Sequence, residues 1–279
     1  MNMRKAVGKV LLYAGSFLFV LIFLFPFVIE FSVALKTFKD LFRFPSSIIP
    51  SPIAWENFGK IWEIVPLKQI YLNTYTVIFA VIAFNFFIAA PAAYAMSVLD
   101  FPFKKFILSL AFFSQMFVPV LIVVPVFKLI KELGLIDRLS SLILTGVAFT
   151  VSFVVLLMKG FFDTIPREVE EAALIDGCNR FMTMLRIYMP LCTSGIVVAI
   201  IYSAILVNNE FLFANTLINS TTKNVMSVAL FKLIKANPYQ SVTWNYVMVC
   251  AIYAGLPIQI IFLFIRKHIT KGLTAGAIK

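Results

Sequence analysis

The sequence predicts an all-α integral membrane protein with six transmembrane helices. Of its 279 residues, 61% are hydrophobic, and its mean hydropathy is +0.97, whereas a soluble domain is usually nearer half apolar. The apolar residues form continuous runs of about 20 residues, the length that a spanning helix needs. A β-barrel would instead show alternating segments of about ten residues. The long unbroken runs therefore favour helices.

Six apolar runs give the predicted spans in chain order: residues 10–35, 71–99, 106–130, 142–158, 189–213 and 244–265. The first run follows Arg4, Lys5 and Lys9, as the apolar region of a signal peptide would. That region is only 7–15 residues in a signal peptide, and this run is longer, so we interpret it as a retained span. The prediction is one membrane domain, residues 1–279, with a core at 71–266.

Charge sets the expected orientation and the expected environment. Six spans place both termini on one side. The count of Lys and Arg slightly favours that side as cytoplasmic, and favours it more firmly once the long loop 36–70 is discounted. Both termini are therefore predicted to be cytoplasmic, in a bacterial plasma membrane. The net charge of +11 favours contact with anionic lipid headgroups. No basic patch with interleaved aromatic residues lies outside the spans, so nucleic acid is not an expected partner.

The densest charged stretch, residues 163–180, lies between the fourth and fifth spans and is predicted to be cytoplasmic. Thr164 is expected to cap a short helix, with Pro166 in its first turn. Gly177 is expected to end the helix in a left-handed conformation, and Asn179 to begin another. The stretch therefore predicts a defined helix between the two spans.

Small residues follow one side of this predicted helix. Val169, Ala172, Ala173 and Asp176 recur at the i, i+3, i+4, i+7 spacing of a helical face. Two alanines on a face let another backbone or side chain approach closely, which is typical of a docking element. A solvated cytoplasmic loop is the alternative, and it explains the charge without explaining the small residues.

Several stretches resemble the membrane subunits of binding-protein-dependent ABC importers. EEAALIDG at 170–177, followed by Phe181, Ile187 and the pair Pro190-Leu191, resembles the EAA loop of that family. Four further stretches also resemble the family: AAYAMSVLDFPFKK (92–105), VPVFKLIKELGLIDRLSSLIL (124–144), NNEFLFANTLI (208–218) and KGLTAGAIK (271–279). Of these, NNEFLFANTLI resembles a WNEF-like element of carbohydrate permeases, with Asn208 in place of Trp. The resemblance covers residues 73–279, and the tail is similar to that of the smaller maltose-type permease subunit.

The resemblance implies a type I ABC importer transmembrane domain. In that family the loop, here 163–189, forms a coupling helix that sits in a cleft of a cytoplasmic ATPase. The residues carried over as ATPase-coupling are Glu171, Ala172, Ala173, Asp176 and Gly177. The implied partners are a second homologous permease, two cytoplasmic ATPase subunits and an extracytoplasmic sugar-binding protein.

The chain is not expected to be an enzyme. It contains no GxxxxGK[ST] phosphate loop, so ATP and Mg²⁺ would be bound by the partner ATPase. With one His and no Cys cluster, a metal site is not expected either, and no cofactor is predicted for this chain.

Polar residues within the spans are candidates for the translocation pathway, because polar groups are costly there. We name Asn208, Asn209 and Glu210 in the fifth span, and Gln115 in the third. Hydrogen bonding between helices is the alternative role for all four. For Gln115, and for Asn85 in the second span, helix pairing and kinks near Pro119 and Pro125 are favoured over substrate contact.

The predicted function is import of a sugar or oligosaccharide, coupled to ATP hydrolysis by partner subunits. A non-sugar solute such as glycerol phosphate remains an alternative, and the basic residues Lys223, Lys232 and Lys235 in the outer loops would suit an anionic sugar. An ion-driven secondary transporter is less favoured, because ionisable relays across several spans are missing. An intramembrane enzyme would need a polar catalytic cluster, which a single His does not provide.

Overall fold

The structure is a computed structural model that describes residues 2–235 and 244–275. Within these residues the regular elements are all helices. The predicted tail motif at 271–279 extends beyond the described residues. In chain order, the elements are α1 (Asn2–Ala34), α2 (Phe38–Leu41), α3 (Asn57–Ile64), α4 (Leu67–Val98), α5 (Lys104–Ser114), α6 (Pro119–Glu132), α7 (Leu139–Phe162), α8 (Arg167–Ile175), α9 (Arg180–Thr183), a π-helix (Met184–Tyr188), α10 (Met189–Leu191), α11 (Thr193–Asn208), α12 (Leu212–Leu217), a 3₁₀-helix (Thr221–Lys223), α13 (Met226–Lys235) and α14 (Trp244–Ala275).

Three single helices among the described residues are long and apolar enough to cross a membrane. They are Leu11–Ala34 within α1, α4 (Leu67–Val98) and α7 (Leu139–Phe162). Two bent pairs, α5 with α6 and Arg180–Leu191 with α11, would bring the number of spans to five. The sixth predicted span corresponds to the start of α14, where Trp244–Leu256 forms a shorter apolar helix.

The prediction of continuous helices for the third and fifth spans is wrong. The third bends by 102° between Ser114 and Pro119, because a residue before proline avoids the helical region; Val118 is extended, and Pro119 begins a new helix. The kink expected near Pro119 is thus confirmed. The fifth bends by 83° at Cys192, and it also ends at Asn208 rather than Phe213.

Residues Met1–Leu67 and Leu230–Leu256 form one compact unit. Here the side-chain amide of Asn57 donates hydrogen bonds to the backbone carbonyls of Ala34 at 2.8 Å and Lys36 at 3.0 Å. The first bond satisfies the carbonyl of the last residue of α1, which has no helical partner, and the second holds the turn that follows. The Tyr253 hydroxyl donates to the Phe58 carbonyl at 3.2 Å, which ties α14 to α3.

Residues Lys68–Ala229 and Pro257–Lys279 form the second unit, which carries both candidate sites. Its core consists of two clusters along α4, α7 and α11. One is centred on Tyr94, Met158, Phe162 and Tyr188. The other brings Val81 of α4 together with residues of α6, α7 and α12. The long helices are thereby packed against one another at both candidate sites.

The Asp137 side chain connects the loop between α6 and α7 to the residues that follow α12. Its carboxylate accepts a hydrogen bond from the Ser220 hydroxyl, bonds from the backbone N–H groups of Ser220 (2.8 Å) and Asn219 (3.0 Å), and one from the Lys223 ammonium at 3.2 Å. These donors, the Ser220 hydroxyl first, hold the pKa of the Asp137 carboxyl below its usual range. Lys223 is thus engaged within the chain.

Candidate coupling loop and transport cavity

The charged stretch forms α8, and its C-terminal end follows the predicted pattern. The N–H of Cys178 bonds the carbonyl of Ala173 at 3.0 Å, and the N–H of Gly177 bonds that of Leu174 at 3.1 Å. Gly177 has φ = +86°, so the helix ends in a Schellman motif that glycine favours. The Asn179 side chain then accepts a hydrogen bond from the N–H of Met182 at 2.8 Å. The predicted left-handed cap and the new helix at Asn179 are both confirmed.

The start of α8 differs from the prediction. The helix begins at Arg167 with extended Pro166 before it. The Thr164 hydroxyl donates instead to the Phe161 carbonyl at 2.7 Å, so Thr164 belongs to the end of α7 and does not cap α8. Pro166 is the residue that precedes the helix, not part of its first turn, and no side chain caps α8.

The predicted face of small residues is divided between two sides of α8. Ala173 is 4% exposed, whereas Ala172 and Asp176 face outward. The buried side is completed by Glu170. The prediction grouped Val169, Ala172, Ala173 and Asp176 by spacing alone, and spacing does not show which residues of a face meet the rest of the chain.

The outward side of this region is partly apolar. Ile175 is 85% exposed, Phe181 is 63% exposed and Leu174 is 40% exposed. Glu171, Ala172, Asp176 and Gly177 are exposed beside them. A projecting apolar patch with charged edges is typical of a surface that contacts another protein. Four of the five predicted coupling residues lie on this outward surface, and Ala173 lies beneath it.

A π-helix, Met184–Tyr188, joins α9 to α10 without a break. Such insertions often occur at functional sites, because they rotate the residues that follow. Here the insertion brings Tyr188 into the core, where it is 1% exposed. The π-helix therefore packs the region after α8 against α4 and α7.

A cavity of about 250 Å³ lies where two helices are interrupted, at the α5–α6 break and at the end of α11. Its lining includes Gln115 and Glu210, two of the four predicted pathway residues. The other lining residues are Ser114, Phe117, Pro119, Thr145, Gly146, Phe149, Thr150, Tyr202, Leu206, Val207 and Phe213. Interrupted helices commonly form the substrate sites of transporters, because the breaks expose polar backbone groups.

Glu210 has a structural contact as well as a place in the cavity. One carboxylate oxygen accepts a hydrogen bond from the backbone N–H of Phe213 at 2.8 Å, in the first turn of α12. The Ser227 hydroxyl donates to the Glu210 carbonyl at 2.7 Å. The carboxylate is thus oriented by the start of α12 while it borders the cavity.

Asn208 and Asn209 are not among the residues that line the cavity. Asn208 ends α11, and its amide group contacts the Asn209 side chain at 3.5 Å. Asn209 is exposed. The structure therefore brings Gln115 and Glu210 together and leaves the two asparagines outside that group.

Asn85 pairs helices, as the sequence suggested. Its side-chain amide donates to the hydroxyl of Thr150 on α7 at 2.7 Å and of Ser203 on α11 at 3.2 Å. The side chain is 2% exposed. One buried amide therefore connects α4, α7 and α11, a contact that membrane helices commonly use.

Sequence reasoning missed one pair at the coupling loop, Tyr94 and Glu170. In the structure, the Tyr94 hydroxyl donates to a Glu170 carboxylate oxygen at 3.0 Å. No periodic pattern links these positions, which are far apart in the chain.

The model of the family "Binding-protein-dependent transport system inner membrane component" matches residues 87–275, which include the coupling loop and the cavity. The chain belongs to this family. It is therefore a multi-pass membrane subunit of a binding-protein-dependent transport system, and the family resemblance found in the sequence is confirmed.

Two relatives align with this permease along nearly its whole length. The inner membrane ABC transporter permease protein YcjP of Escherichia coli (strain K12) is 31% identical over 278 residues, which cover 99% of this chain and 98% of that protein. The trehalose/maltose transport system permease protein MalG of Thermococcus litoralis is 28% identical over 280 residues, 99% of each chain.

A solved structure shares the fold of this permease. It is a crystal structure of a bacterial ABC transporter involved in the import of the acidic polysaccharide alginate. The TM-score is 0.80 at 21% identity, over 95% of this chain and 97% of that chain. The predicted importer transmembrane fold is confirmed.

Proposed function

We propose that this permease moves an uncharged sugar or short oligosaccharide into the cell as one of two membrane subunits of an ABC importer. The second membrane subunit is a homologous permease, and two cytoplasmic ATPases bind ATP and Mg²⁺. A sugar-binding protein delivers the cargo outside the membrane. Both termini and α8 lie on the cytoplasmic side, where the outward surface of α8 docks on an ATPase.

The lining of the cavity at the helix breaks is the main evidence that the cargo is a sugar. It combines aromatic rings, Phe117, Phe149, Tyr202 and Phe213, with the amide of Gln115 and the carboxylate of Glu210. Among the described residues, the Gln115 amide has no hydrogen-bond partner, so its donors and acceptor remain available to a ligand. Rings with a few polar groups suit a sugar, which offers apolar faces and hydroxyl edges.

The charge of this cavity favours neutral cargo over anionic cargo. Glu210 is the one charged residue in the lining of this cavity, and the lining contains no Lys, Arg or His. A carboxylate without a nearby cation repels a phosphate or uronate group. Lys223, one of the basic residues that suggested an anionic sugar, is engaged by Asp137. Glycerol phosphate is therefore the less favoured cargo.

Transport by the assembled importer tests this proposal. The complex, reconstituted in liposomes with its binding protein and internal ATP, should accumulate radiolabelled trehalose or maltose and not glycerol 3-phosphate. Gln115→Leu should lower sugar uptake by about tenfold, the loss expected for one hydrogen bond. Gln259→Leu makes the same change on α14, outside this cavity, and should leave uptake unchanged. Uptake of glycerol 3-phosphate in preference to the sugars would contradict the proposal.

A further inference from the structure

Among the residues that the structure describes, one buried side-chain hydrogen bond joins α8, the proposed coupling helix, to α4. The Tyr94 hydroxyl, on α4, donates to a carboxylate oxygen of Glu170, on α8, over 3.0 Å. Tyr94 is 5% exposed and Glu170 is 9% exposed. A buried acid is unfavourable unless it has a partner, so the bond holds both groups in one arrangement.

Tyr94 is in turn held by a chain of aromatic rings. Its ring meets that of Tyr188 edge to face, with centroids 5.0 Å apart and planes at 86°. Tyr188 meets Phe162 in the same way, at 5.5 Å and 87°. Tyr188 ends the π-helix and Phe162 ends α7, and both are 1% exposed. Such edge-to-face pairs restrict ring rotation, so the hydroxyl of Tyr94 has a fixed position.

The other polar contacts in this region are exposed or do not reach α8 itself. Among the described residues, α8 has one other polar side-chain contact with the rest of the chain, between Arg167 and Asp100 at 3.9 Å. Both side chains are largely exposed, and an exposed pair of this kind contributes little. The bond from Ser97 to Asp163 joins α4 to the residue that follows α7, not to α8 itself. The Tyr94–Glu170 bond is therefore the rigid side-chain link between α8 and α4.

We propose that Tyr94 and Glu170 are positioning residues that carry the movement of the coupling helix to α4. The inference rests on the proposed docking of α8 on an ATPase. A nine-residue helix is marginally stable by itself, and it transmits a displacement only when it moves with the element it is meant to shift. Because α4 packs against α7 and α11, which line the cavity, a shift of α4 reaches the helices around the cavity.

The test compares three variants in the importer purified through a tag on this chain and held in nanodiscs with its ATPase. Tyr94→Phe removes the hydroxyl. The double variant Tyr94→Phe with Glu170→Leu removes both partners and leaves no buried acid unpaired, which restores stability lost with the hydroxyl alone. Tyr188→Phe is the matched control, because it removes a hydroxyl from the adjacent ring, which has no hydrogen-bond partner among the described residues.

Two readouts separate transmission from stability, and neither requires the cargo. The first is ATP hydrolysis together with the melting temperature. The second is hydrogen–deuterium exchange at residues 114–119, which border the cavity, measured with Mg-ATP and with ADP. In the wild type and in Tyr188→Phe, exchange there should differ between the nucleotides. In the double variant, that difference should fall by at least about fivefold, while ATPase binding, hydrolysis and melting temperature stay near wild type.

Each outcome decides between the link and its alternatives. A double variant whose exchange still responds to ATP as the wild type does would overturn the inference, while leaving the docking proposal intact. The inference would also be overturned if the double variant had a lower melting temperature and its exchange difference between nucleotides fell only in proportion to that decrease. The bond would then serve stability alone. If no ATPase accompanies the wild-type chain, the proposed function itself fails, which is a different result from loss of the link.

Discussion

Ala173→Asp and Gly177→Asp are each expected to abolish cargo uptake while the chain remains in the membrane. Ala173 is 4% exposed on the side of α8 that also buries Glu170. An added carboxylate there is an unpaired charge beside an acid, with a cost of about 3–5 kcal/mol, enough for a loss of uptake of more than about 100-fold. We expect α8 to move out of its docked position before the spans unfold.

Gly177→Asp acts through the backbone and through charge. Gly177 has φ = +86°, and an added Cβ would meet no atom within 4 Å, so space does not limit the site. The left-handed conformation costs a residue with a side chain about 1–2 kcal/mol, and the new charge falls on the surface proposed to meet the ATPase. Gly177→Asn and Ala173→Ser are the matched controls, since asparagine tolerates this conformation and serine adds no charge.

Uptake of the radiolabelled sugar by reconstituted liposomes measures this prediction, and membrane extraction confirms that the chain is inserted. The two control variants should keep most of the wild-type rate. Normal uptake in both Asp variants would show that α8 does not dock on the ATPase.

Gly195→Val is expected to prevent the accumulation of folded protein, and Gly195→Ala to lower its melting temperature. A Cβ at Gly195, on α11, would lie 2.4 and 2.5 Å from ring carbons of Phe161 and 2.9 Å from its Cβ. These atoms are near the backbone of α7, so Phe161 cannot move aside without shifting the helix. Overpacking of this kind costs about 1–3 kcal/mol, or roughly 2–10 °C in melting temperature.

Gly160 offers a matched control on α7, because a Cβ there would meet no atom within 4 Å. Gly160→Ala should melt at or above the wild-type temperature, since alanine stabilises a helix interior relative to glycine. Thermal unfolding of the detergent-solubilised chain measures both changes. Equal melting temperatures for Gly160→Ala and Gly195→Ala would contradict the close packing of α7 and α11.

The sequence predicts the long spans well because their signal is length and hydropathy. The α7 helix contains the predicted run 142–158 in full and extends beyond it at both ends, and α4 contains the predicted run 71–99 except for its last residue. Hydropathy does not register where an apolar run bends. The break before Pro119 follows from the restriction that proline imposes on Val118, and the break at Cys192 occurs in an apolar run without a glycine or proline at that residue.

The sequence predicts how α8 ends, but it does not predict which side of α8 is buried. Gly177 and Asn179 act through their own backbone and side-chain preferences, which are local. The inward turn of Glu170 depends on Tyr94, which is distant in the chain, and a helical wheel treats Glu170 as an exposed acid. Spacing therefore identified the helix and could not identify its buried side.

The cavity depends on the same kind of distant contact. Gln115 and Glu210 were each chosen because they are polar residues in apolar runs, and the structure brings them to one cavity. Asn208 and Asn209, chosen on the same ground, lie outside its lining. Which polar residues meet is decided by the helix breaks, and those breaks were not foreseen as interruptions of the helices.

Purification of the tagged chain in mild detergent, with identification of every bound protein, tests the central claim most directly. We expect an ATPase with a phosphate loop and a second membrane protein of six to eight spans. The variant Ile175→Asp, which charges the most exposed apolar side chain of α8, 85% exposed, should lose the ATPase and keep the second permease, while Ile175→Leu keeps both. If the wild-type chain purifies without an ATPase, then α8 is not the surface that holds one, and the docking proposal fails.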